Sequence, residues 1–88
     1  MALTAKHKQR IIDLDYSAKQ ILRHGGEEEL LMSLAHKMNS IKDIMDSASE
    51  GELDRYCEQY SGFYQYMNLL ERLAVGTSTG LFNDIIKR

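Results

Sequence analysis

An all-α fold is predicted from three observations: the chain contains no proline, three of its six glycines stand at breaks between periodic segments, and apolar residues recur in alternating steps of three and four. The expected arrangement is an antiparallel bundle of three long helices, about residues 4–24, 27–47 and 50–75, followed by a short C-terminal helix at 80–87, all in one domain spanning 1–88. At 88 residues the chain is small enough that helices must pack efficiently or self-associate to be stable.

The first helix is expected to begin at Thr4 as N-cap. Thr4, His7, Ile11, Leu14, Ala18 and Ile21 form the seam, which Leu22 widens. Arg23 and His24 suit the negative end of the helix dipole, and Gly25-Gly26 stops the helix. Glu27, Glu28 and Glu29 suit the positive end of the second helix. Its seam is read as Leu31, Leu34, Met38, Ile41, Met45 and Ala48, with Leu30 and Ala35 broadening the face. Ser49 and Glu52 have the spacing of a capping box and mark a new N-terminus. One continuous helix from Glu27 to Val75 is the rival, disfavoured by the two serines and Gly51.

The third segment holds five of the seven aromatic residues: Tyr56, Tyr60, Phe63, Tyr64 and Tyr66. On a wheel of about 100° per residue, Leu53, Tyr56, Cys57, Tyr60, Phe63, Tyr64, Met67, Leu70 and Ala74 share one broad sector, which is expected to be the buried one. Gly62, Tyr66, Leu69 and Leu73 form a second stripe nearly opposite. Gly62 there suggests close approach of another backbone. A connector of small residues at 77–80 then leads to Leu81, Phe82, Ile85 and Ile86, which are too few to hold a helix without a docking surface. The expected state is a homodimer with these four and the second stripe at the contact, and the sequence is compatible with a tail folded back in cis or exchanged in trans.

No composition extreme points to disorder, since 43% of residues are hydrophobic and 27% charged with mixed sign. One cysteine excludes an intramolecular disulfide, and Cys57 is expected to pack as a small hydrophobe. Apolar runs are too short for a bilayer span and the first residues lack signal-peptide order, so a cytoplasmic setting without membrane attachment is expected. Charge is uneven along the chain. Residues 1–24 carry five Lys or Arg against two acids, whereas 27–49 and 50–76 each carry two against five. A positive first helix beside two negative ones favours pairing within the chain.

Chemical motifs are absent. Thr4, Ile21 and Ser33 stand three residues before the histidines, which excludes the Glu-x-x-His pairs of a di-iron bundle. No zinc, P-loop or dinucleotide signature occurs. No catalytic, cofactor-binding or metal site is therefore assigned, and the chain is not expected to be an enzyme; His7 and Cys57 would matter only if they shared a pocket with an acid. On the outer side of the first helix, Lys8, Lys19 and Arg23 flank Ile12 and Tyr16. The expected function is that of a small non-enzymatic regulator, adaptor or inhibitor presenting a helical face to a larger protein. The alternative is a DNA- or RNA-binding regulator that uses the same basic face, against which stand the acidic whole chain and its pI near 5.9.

Overall fold

The computed structural model describes residues 2–76, with side chains to residue 73. Five helices follow one another: α1 (Ala5–His24), α2 (Gly26–His36), α3 (Met38–Ser47), α4 (Glu52–Gln59) and α5 (Ser61–Gly76). The described residues are thus all-helical apart from turns, without strands.

Thr4 caps α1 as its sequence indicates. Its hydroxyl accepts the His7 amide, and its own amide donates to His7 Nδ1 at 3.1 Å, so His7 completes the box usually closed by Glu or Gln. At the other end, Gly26 has φ +78°, a conformation that favours glycine and lets α2 start at once after α1.

Two expected long helices are each divided. The 27–47 segment breaks at Lys37 (φ −104°, ψ 9°), whose amide is shared between the carbonyls of Ser33 and Leu34. Nothing in residue propensity marks this position. The break alters which residues face inward: Leu30 and Leu34 are buried on α2 while Leu31 is partly exposed, and Ile41 and Ile44 are buried on α3. The 50–75 segment breaks at Tyr60 (φ −122°, ψ 99°), immediately before the poor helix formers Ser61 and Gly62. The continuous Glu27–Val75 helix is excluded as well, because Ala48 is extended and residues 48–51 are non-helical. The expected helix at 80–87 lies outside the described residues.

Before α4, the Ser49–Glu52 pairing forms with its roles altered. Gly51, not Ser49, is the residue preceding the helix, and the Ser49 amide and hydroxyl both donate to Glu52 Oε1, at 2.7 and 2.8 Å. The same oxygen accepts the Leu3 amide at 3.2 Å. One carboxylate therefore joins the start of the chain to the start of α4.

The core is built from Ile11, Leu14 and Ala18 of α1, Leu30 and Leu34 of α2, Ile41 and Ile44 of α3, and Phe63, Tyr66, Leu69 and Leu70 of α5, with Leu3 closing one end. α1 packs most extensively on α5. α4 buries only Glu52 completely; its apolar residues Leu53, Tyr56 and Cys57 are half-buried against the core edge.

Candidate interaction surfaces

The α1–α5 crossing decides which faces remain for contact with anything else. Gly62 is buried, and its amide donates to Asp15 Oδ1 at 2.6 Å. A Cβ at this position would lie 2.7 Å from Asp15 Oδ1 and 2.8 Å from the Asp15 carbonyl carbon. The backbone approach anticipated at Gly62 is thus real, and the approaching backbone is that of α1. Because Gly62 is in the first turn of α5, Asp15 supplies from another helix the acceptor that the free amides there require, with charge of the sign the helix dipole favours. Lys19 Nζ sits 3.0 Å from the other carboxylate oxygen, Oδ2.

Four residues further on, the Tyr66 side chain is fully buried. Its hydroxyl is 2.7 Å from Ser33 Oγ on α2 and 3.4 Å from Ser17 Oγ on α1, so the phenol links three helices. These positions correct the candidate interface. Gly62, Tyr66 and Leu69 are inside the chain's own core, and Leu73 is half-buried beside Leu69, Leu31 and Glu27. Within the chain, α1 and α2 cover the Gly62, Tyr66 and Leu69 part of the stripe. Leu81, Phe82, Ile85 and Ile86, the other members of that interface, lie outside the described residues.

The sector expected to be buried is only partly so: Phe63 and Leu70 are in the core, Leu53, Tyr56, Cys57, Tyr60 and Met67 are half-buried against it, and Tyr64 is exposed. Met45, Leu53, Cys57, Tyr64, Met67 and Leu70 line a groove of about 380 Å³ between α3, α4 and α5. Asp54 and Glu71 stand at its edge, and Glu58 borders the end that contains Cys57 and Tyr64. Tyr64 is 45% exposed. The helix is interrupted at Tyr60: Tyr56 and Tyr60 stack with centroids 6.2 Å apart, whereas Tyr64 lies beyond the break on α5.

Cys57 shows the chemistry of a packing residue. Burial pushes its thiol above the ordinary value, and Asp54 adds to the rise, so little nucleophilic thiolate forms at neutral pH. His7 does not line this groove. Its Nε2 is 3.0 Å from Asp43 Oδ2, which also accepts Arg10 Nη1 at 2.6 Å. That cluster joins α1 to α3 and realises the charge complementarity expected between the basic first helix and its acidic neighbours. Arg72 of α5 similarly pairs with Glu27 of α2.

Among the described residues, one face of α1 is left uncovered. Lys8, Ile12, Tyr16, Lys19 and Arg23 are all exposed along one side of the helix, with Ile12 at 40% and Tyr16 at 64%. Lys8 and Arg23 form no ion pair among the described residues, and Lys19 pairs only with Asp15 of its own helix.

Two important polar residues escape a reading by motif. Asp15 falls beside the apolar seam of α1, one turn after Ile11, and a buried acid there must find a partner. Glu52 was visible through its spacing from Ser49, but its bond to Leu3 depends on residues 49 apart meeting in space.

Among the described residues no group of three His, Cys, Asp or Glu side chains is placed to hold a metal ion, and no helix is long and apolar enough to cross a membrane. Comparison with protein-family models, curated proteins and solved structures finds no match to the chain.

Proposed function

We propose that this chain is a small non-enzymatic interaction protein that binds a larger protein through the outer face of α1, acting by occlusion or tethering. The observation that carries this reading is the pair Ile12 and Tyr16, two large apolar side chains one turn apart and exposed, within a frame of Lys8, Lys19 and Arg23. A tyrosine with an aliphatic neighbour supplies apolar contact area, and surrounding cations steer an acidic surface toward it. The partner surface is therefore expected to be an apolar patch edged by carboxylates. Because Gly62, Tyr66 and Leu69 of the second stripe are buried by the chain's own helices, the exposed face of α1 is the surface this reading uses.

Affinity capture from the native cell extract, with the wild type and an Ile12→Ala/Tyr16→Ala variant side by side, tests the proposal. Both substitutions are at the surface, and each should change stability by no more than about 0.5 kcal/mol. A protein retained by the wild type and lost with the variant supports the reading. Equal capture by both sinks it. Lys8, Lys19 and Arg23 are also the groups that would meet phosphates in the nucleic-acid alternative. A salt-sensitive mobility shift abolished by replacing those three cations would favour that alternative.

A further inference from the structure

The groove between α3, α4 and α5 is an apolar surface without a partner among the described residues, and the chain itself contains a segment of matching chemistry. We propose that residues 81–88 dock in this groove in cis, running back along α5 with Leu81, Phe82, Ile85 and Ile86 on its apolar floor.

Three features support this occupant. The first is reach. Glu71, at the near end of the groove, is five residues before Gly76, or about 7.5 Å of helix. The connector Thr77-Ser78-Thr79-Gly80 spans up to about 14 Å, enough to reverse direction and return that far. The second is length and pattern. Leu81, Phe82, Ile85 and Ile86 fall on one face if helical, and eight residues make about 12 Å of helix. The α5 wall from Tyr64 to Glu71 is about 10 Å long.

The third is charge. A tail running back along α5 brings Lys87 and Arg88 to the end of the groove bordered by Asp54 and Glu58. Neither acid forms an ion pair among the described residues. The second apolar depression, beside Leu31, Leu69 and Leu73, fits less well. It offers three large apolar residues for four incoming ones, and its Glu27 already pairs with Arg72.

The single cysteine on the groove wall provides the test, in the full chain. Modification of Cys57 by a thiol reagent at mildly alkaline pH is compared between the wild type and a Leu81→Glu/Ile85→Glu variant, with circular dichroism confirming helix content. Docking predicts at least tenfold faster labelling in the variant, and equal rates overturn it. An Ile85→Cys variant oxidised with glutathione provides the second measurement, which does not depend on the double variant folding. An intramolecular disulfide between Cys57 and the introduced thiol, seen as a faster-migrating monomer without reductant, supports docking in cis. A disulfide-linked dimer assigns the groove to a second copy's tail and overturns the proposal, as does the absence of any link between the two thiols.

Discussion

Replacing Gly62 with alanine separates close helix packing from helix propensity, because the two predict opposite signs. In an unencumbered helix the change would stabilise by up to about 1 kcal/mol. Here the new methyl would overlap the α1 backbone at Asp15, with its closest approach to the carbonyl oxygen. Overpacking of this kind costs about 1–3 kcal/mol. If α1 and α5 part to accommodate it, the 2.6 Å bond from the Gly62 amide to the Asp15 carboxylate lengthens; a hydrogen bond to a charged group contributes about 1.5–3 kcal/mol. Setting the propensity gain against the midpoints of these two costs leaves a net loss of about 3 kcal/mol. For a domain of this size that corresponds to a fall of roughly 12–24 °C in Tm. Urea unfolding followed by circular dichroism should show a lower midpoint with an unchanged slope. Asp15→Asn keeps an acceptor but removes its charge, and should cost less, about 1 kcal/mol. A Gly62→Ala protein as stable as the wild type, or more so, would refute the packing argument outright.

Tyr66→Phe removes a hydroxyl shared with Ser33 and Ser17 and should destabilise by about 0.5–1.5 kcal/mol, with Ser33→Ala showing non-additive coupling to it in a double-mutant cycle. Glu52 makes stability pH-dependent. Hydrogen bonds from the Ser49 amide and hydroxyl hold its carboxyl below the ordinary 4.5, with smaller help from the Leu3 amide and Arg55, so the unfolded chain takes up the proton first. Its contribution is present above pH 4.5 and is lost as the pH falls through the lower folded value; urea midpoints measured across that range should decline less steeply in Glu52→Gln. Asp43→Ala removes the acceptor of both His7 and Arg10, yet the Arg10 and Asp43 side chains are each nearly half exposed, so a loss of only about 1 kcal/mol or less is expected, shrinking with added salt.

Local rules account for much of the molecule. The capping of α1 by Thr4, the stop at Gly25-Gly26, the seam through Ile11, Leu14 and Ala18, and the close approach at Gly62 all depend on residues within a turn or two of one another, or on the absence of a side chain. The exposed face from Lys8 to Arg23 follows from the same periodicity, because a helix with one apolar seam must turn its remaining residues outward. These were legible in the order of residues.

Phase was not. A wheel drawn through residues 53–74 assumes an uninterrupted helix, and the break at Tyr60 voids that assumption, so part of the sector read as buried lines a groove, and Gly62, Tyr66 and Leu69 of the stripe read as an interface are buried within the chain. The break persists because Asp15, 47 residues away, supplies an acceptor for the restarted helix at Gly62. The division at Lys37 likewise follows from how α2 and α3 must each turn an apolar edge inward, which no propensity records. By itself, then, the sequence determined helical class, the Thr4 cap and the exposed face of α1, since these are local. Only tertiary structure decided which side of the aromatic segment lies inside, because that depends on where a distant carboxylate satisfies the backbone and how closely α1 can approach a residue without a side chain.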